Sequence, residues 1–143
     1  MSPVQLSLKW LRDHGYECQK VEHWNHYAKR RQDLFGFIDI LAVSEHHLLG
    51  IQSTDGSHHA EHVGKIMANR IAHDLAYHMD IEIWSWSKKL TGKRRKDKLL
   101  DRRKEWTLRR DALTARLLPA KSLWRRTLEE GTWDVATEGK EET

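Results

Sequence analysis

Between Phe37 and Val43 runs a nearly unbroken apolar stretch, Phe-Ile-Asp-Ile-Leu-Ala-Val, with a single acid, Asp39, in its middle. A run without alternation predicts a strand covered on both faces, and therefore a sheet with layers above and below it. Glu45-His46-His47 makes a turn, and Leu48 to Ser53 reads as the partner strand. Helices to cover the pair are written on either side. Ser2-Pro3-Val4-Gln5 opens one, with Ser2 as cap, Pro3 at the first helical position and Gln5 closing a capping box. Val4, Leu8 and Leu11 fall on one face of it, and Gly15 stops it. Asp55-Gly56-Ser57 punctuates, and from Ser57 to His78 the spacing of Ala60, Val63, Met67, Ile71 and Leu75 is helical.

The remaining segments carry weaker signals. Tyr16 to Trp24 loosely alternates and predicts a first strand, Ile81 to Trp86 predicts a later one, and Glu105 to Arg110 a strand returning beside it. Asn25 to Phe35 reads as a loop, Leu90 to Arg103 as an exposed basic turn, Pro119 to Glu130 as a short helix, and Glu138 to Thr143 as disordered. The expected fold is α/β, a central mixed sheet flanked by helices, with a basic C-terminal β-hairpin extension over residues 88–110. Residues 1–135 form one domain, and 136–143 an acidic tail.

Composition narrows the function classes. The 143 residues, 38% apolar and 32% charged, suit a single soluble domain, expected to be cytoplasmic. Cys18 is the only cysteine, so neither an intrachain disulfide nor a Cys-based zinc site can form. The run Leu34 to Val43 is too short to span a bilayer, and no membrane partner is expected. Charge is divided unevenly: residues 1–87 carry a net −3, and residues 88–143 a net +7. Lys88 to Arg110 holds 12 basic residues against Asp97, Asp101 and Glu105. A stripe this dense attracts polyanions, and nucleic acid is the expected partner, DNA first.

Asp39 is the residue with most chemistry to explain. A carboxylate buried in an apolar strand must meet a cation, a set of donors or a metal. Gln52 on the next strand can face it, and Asp33 lies just upstream behind Lys29-Arg30-Arg31. Two or three oxygens converging at strand ends make a site for Mg²⁺, or Mn²⁺ in its place. His58 and His62, four apart on the expected helix with His59 and Asp55 nearby, form a second and weaker metal pattern; exposed helix histidines near a DNA groove are the favoured reading. Trp84, Trp86 and Trp106 lie on or beside the basic hairpin, as core or cross-strand packing or as stacking platforms for unpaired bases. Trp10, Trp24, Trp124 and Trp133 read as packing residues.

Asp39 on an apolar strand, a tight turn and then Gln52-Ser53-Thr54 on a second strand resembles the PD-(D/E)XK nuclease superfamily. Leu6 to Lys65 is similar in layout to the small Holliday-junction resolvases and related phage or bacterial nuclease domains, with Gly36-Phe37-Ile38-Asp39 in the place of their short turn-Ile-Asp element. The resemblance implies a restriction-endonuclease-like fold and a Mg²⁺-dependent endonuclease. Asp39, Gln52 and Asp33 would hold the metal, and Asp39, Gln52, Thr54 and Lys65 would form the catalytic set. Thr54 departs from the pattern, which has lysine there, and Lys65 on the following helix is the candidate replacement. Gln5 matches the helix residue of the pattern, although capping alone explains it. Arg30, Arg31, Lys93, Arg94, Arg95, Lys96, Arg109 and Arg110 would grip the nucleic acid backbone. A resolvase needs two active sites and hence a homodimer. Two other readings stand beside this one: a catalytically inactive member of the fold that binds nucleic acid, and a protein–protein adaptor whose basic hairpin meets an acidic partner.

Overall fold

The computed structural model describes residues 1–90, 94–97, 99, 104–116 and 122–133. In chain order the elements are α1 (Pro3–Asp13), β1 (Glu17–Lys20), β2 (His23–Asn25), β3 (Arg30–Gln32), β4 (Ile40–Val43), β5 (Leu48–Asp55), α2 (His59–Met67), α3 (Arg70–Leu75), β6 (Asp80–Leu90), β7 (Lys104–Arg116) and β8 (Ser122–Trp133). Six strands make a mixed sheet in the order β1-β4-β5-β6-β7-β8, while β2 and β3 form a separate hairpin. Only the β5–β6 pair is parallel. A parallel neighbour requires a crossover, and the segment carrying α2 and α3 supplies it.

That crossover and α1 divide the core into two layers. Leu6, Trp10 and Leu11 of α1 pack on Ile40, Ile51, Trp84, Trp86 and Leu108. Val63 and Ile66 of α2 and Ala72 of α3 pack with Phe37, Ile38, Ile81, Ile83 and Leu113. Leu49 to Thr54 and Ile81 to Trp86 are therefore buried on both faces, as continuous runs at the centre of a covered sheet should be. The expected capping box is present: Gln5 N donates to Ser2 Oγ and Ser2 N to Gln5 Oε1, so Gln5 is spent on the helix start. Among the described residues no helix is long and apolar enough to cross a membrane.

Several expectations need correction. The helix foreseen from Ser57 to His78 is two, because the Asn69 side chain accepts from Ile71 N and Ala72 N and caps α3 afresh. Its amide also donates to the Phe35 carbonyl, tying this break to the loop before Asp39. Asn69→Ala should therefore cost about 1–2 kcal/mol, read as a lower urea midpoint at unchanged slope. The helix foreseen from Pro119 to Glu130 is overturned over its described part by β8, which pairs with β7 from Arg116↔Ser122 to Trp106↔Trp133. The edge of a 13-residue strand offers backbone groups that a partner strand satisfies and a helix would not. The register slips once, between Arg110 and Asp111.

The foreseen loop from Asn25 to Phe35 holds β3 and the turn before it, where Asn25 Oδ1 accepts from Tyr27 N and Ala28 N. The first strand is shorter than foreseen, ending at Lys20, and Trp24, read as a packing residue, is half exposed on β2. Beyond Leu90, Arg94 to Asp97 and Leu99 are exposed; the rest of the foreseen basic turn and residues 134–143 lie outside the described residues, as do the side chains of Trp124 and Trp133.

Candidate metal centre

Asp39 stands one residue before β4 rather than within it. A tight turn precedes it: Leu34 and Ile38 bridge, and Phe35 and Gly36 both take left-handed backbone conformations, at φ 54° and 83°. That turn releases the chain into the sheet at Asp39, whose N–H donates to Ile51 O and whose carbonyl accepts from Val21 N. The backbone of Asp39 is thus held between the end of β1 and β5. Its carboxylate Oδ2 accepts from Gln52 Nε2 at 2.8 Å and from Ser53 N at 2.9 Å. Both Asp39 and Gln52 are 4% exposed, and the Gln52 amide leaves Oε1 without a partner.

Two further acids reach the same point. Glu22 follows β1, Asp33 follows β3, and one carboxylate oxygen from each of Glu22, Asp33 and Asp39 lies within 4.8 Å of the other two. Among the described residues this is the one group of three His, Cys, Asp or Glu side chains so placed. Burial first, then a hydrogen bond with Asp33 and the charges of Asp33 and Glu22, push the Asp39 carboxyl up to about 8, against the Ser53 N–H. At neutral pH the cluster holds a proton, kept there by burial, by the hydrogen bond with Asp33 and by like charges. Arg31 compensates part of the charge, with Nη1 3.2 Å from Glu22 Oε1.

The structure joins several residues singled out in the sequence. A cleft of about 490 Å³ is lined by Arg30, Arg31, Asp33 and Lys65, together with His23 and the Leu34–Gly36 turn. Asp33 belongs to both cleft and acid cluster, so the cleft meets the cluster at that carboxylate. Lys65 reaches that wall from α2. Thr54 lies two residues beyond Gln52 on the same face of β5, buried and paired with Ser85 of β6.

The other basic residues separate. Arg110 is built into the α1 side of the sheet: Nε and Nη2 donate to Glu82 Oε1 at 3.0 and 2.9 Å, and the guanidinium lies 4.8 and 5.0 Å from the Trp84 and Trp10 rings. Arg109, on the opposite face, contacts Asp111 Oδ2 at 3.3 Å. Arg95 pairs with Asp97 at 2.8 Å, Arg94 and Lys96 are exposed, and Lys93 lies outside the described residues. His58 and His62 make no joint site. His58 Nδ1 pairs with Asp55, which raises its pKa; His62 is lowered, by burial and then by Lys65. His59 turns instead into the core, toward Ser85 and Asp111.

Sequence reasoning missed Glu22. Its signal is one of register: Lys20 pairs with Ile40, so Val21 stands opposite Asp39 and Glu22 follows at the strand end. No protein-family model matches this chain, and neither a curated protein nor a solved structure is significantly similar to it.

Proposed function

We propose that the chain is a metal-dependent phosphodiesterase acting on nucleic acid, DNA first, on a restriction-endonuclease-like (PD-(D/E)XK) frame extended by a basic β-hairpin. One observation carries the reading. The carboxylates of Glu22, Asp33 and Asp39 converge beside Gln52, whose Oε1 has no partner, next to a cleft walled by Arg30, Arg31 and Lys65. The order α1, β1, β4, β5, α2, β6, with β2, β3 and α3 added to it, also agrees with the helix-strand-strand-strand-helix-strand order read from the sequence.

The donor set fits a hard divalent cation. All its atoms are oxygens, and a turn of the Gln52 amide presents Oε1 in place of Nε2. Asp39, Asp33, Glu22 and Gln52 would hold Mg²⁺ or Mn²⁺. Such an ion, when bound, polarises a phosphoryl oxygen and lowers the pKa of a coordinated water. The protein does the rest. Ser53 N–H fixes the Asp39 carboxylate, Arg30 and Arg31 take the backbone phosphates, and Lys65 neutralises charge gathering on the reacting phosphate where Thr54 has none to offer. A branched substrate requires two such centres, so the resolvase form of this reading includes a homodimer.

A second reading rests on Thr54. Its position is buried beside Ser85, which suits a hydroxyl and not an ammonium, as in a binding protein that has lost its chemistry. Labelled duplex, single-stranded and four-way-junction DNA, incubated with Mg²⁺ or Mn²⁺, separate the two. Cleavage that disappears in Asp39→Asn and falls roughly 10²–10³-fold in Lys65→Met is the expected result. Tight, salt-sensitive binding without cleavage selects the inactive form. Absence of salt-dependent binding removes both and leaves the adaptor.

A further inference from the structure

On the α2 side of the sheet three buried polar side chains form a chain of hydrogen bonds. Ser85 Oγ lies 2.6 Å from His59 Nδ1, and His59 Nε2 lies 2.7 Å from Asp111 Oδ2. Their exposures are 3%, 4% and 0%. Above Ser85 and His59 opens a cavity of about 110 Å³. That volume admits roughly three or four waters, or one tetrahedral oxyanion.

The wall is chemically one-sided. Ser87 and Thr107 bring hydroxyls beside that of Ser85, and Lys89 and Arg109 bring two cations. Among the described residues the Lys89 ammonium has no ion-pair partner, and the hydroxyls of Ser87 and Thr107 have no protein partner. Ser85 adds its own hydroxyl, hydrogen-bonded to His59 Nδ1, to the same wall. Against these donors stands one acceptor, the Glu130 carboxylate, brought in by its pairing with Arg109. A carboxylate repels a bare anion but accepts a hydrogen bond from an anion that still carries a proton.

We propose that this cavity binds a hydrogen-phosphate group, and prefers it to sulfate because only the phosphate has an O–H for Glu130. A phosphodiester has neither that proton nor the compactness. Inorganic phosphate and the terminal phosphate of a nucleic acid share the required chemistry. The site stands independently of the acid cluster and of the reading built on it.

The test is titration calorimetry on the full chain at pH 6 and constant ionic strength, where a phosphate monoester is about half protonated. The probes are inorganic phosphate, sulfate and an oligonucleotide with or without a 5′-phosphate. Inorganic phosphate should bind at least about tenfold more tightly than sulfate, and Lys89→Ala and Thr107→Val should each weaken it about tenfold. Glu130→Gln should close the gap between the two anions. An oligonucleotide that competes only when 5′-phosphorylated identifies the nucleic acid end as a source; one that never competes identifies the free ion. Both outcomes uphold the site. Equal binding of phosphate and sulfate, or phosphate binding unchanged in Lys89→Ala and Thr107→Val, overturns it. Each variant's unfolding transition is recorded alongside, and Lys89→Ala, at an exposed position, keeps the comparison open should Thr107→Val fail to fold.

Discussion

Asp111→Ala should lower the stability of the protein by about 3–5 kcal/mol, as expected when one partner is removed from a buried, charged network. Asp111 is fully buried, and its Oδ2 meets His59 Nε2 at 2.7 Å and Arg109 Nη2 at 3.3 Å. Alanine strands both groups and opens a hole between α2 and β7. Burial pushes the Asp111 carboxyl up, but hydrogen bonds from His59 and Thr127 and the charges of Arg109 and His59 outweigh it and hold it below the usual carboxylate range. A lowered folded pKa means stability present above pH 4 and lost as pH falls through the folded value. Guanidinium unfolding at pH 7 and pH 3 checks both statements. The deficit of Asp111→Ala should shrink at the lower pH; a deficit under about 1 kcal/mol at pH 7 would show the network to be energetically idle.

Asp39→Asn should act in the opposite direction. The Asp39 carboxyl is raised from 3.8 to about 8, by burial and then by Asp33 and Glu22. A raised folded pKa gives stability fully present below about pH 4 and lost progressively up to about pH 8. At about 1.4 kcal/mol per pH unit, that loss is on the order of 5 kcal/mol. The amide removes the titration while still accepting from Gln52 Nε2 and Ser53 N. The variant should therefore be more stable than the wild type at pH 8 without divalent cations. Wild type should gain about 2.7 kcal/mol from Mg²⁺ or Mn²⁺ at a hundred times its dissociation constant, and Asp39→Asn should gain nothing. Thermal unfolding with and without the cation measures both. A variant less stable than wild type at pH 8, yet still stabilised by the cation, would place the metal elsewhere.

The parts of this centre differ in how far they can be read from the sequence. Asp39 and Gln52 announce themselves because a charge inside an apolar run must find a partner, and the neighbouring strand is only a turn away. Glu22 belongs to the same cluster but sits among polar residues at a strand end, where an acid needs no explanation; only the Lys20↔Ile40 register reveals it. Local side-chain bonding decides the rest. Asn69 breaks a helix whose apolar spacing runs on through Ile71 and Leu75, and Asn25 closes a hairpin too short to show any period. In β8, pairing with a long neighbour outweighs any helical tendency of the isolated segment.

The slip in register between β7 and β8 reaches into the polar core. Up to Arg110 the pairing counts evenly, Arg109 with Glu130 and Arg110 with Glu129. An unbroken count would set Leu128 opposite Asp111. The extra residue advances the frame by one, so that Thr127 takes that place opposite the buried carboxylate, while Leu128 is turned out to 40% exposure. A single inserted residue thus acts as a reading-frame correction for side chains. It exchanges a greasy neighbour for a hydroxyl at a point on β7 where a charge is sealed from water, and Glu130 can still face the phosphate-sized cavity from the uncorrected half of the strand.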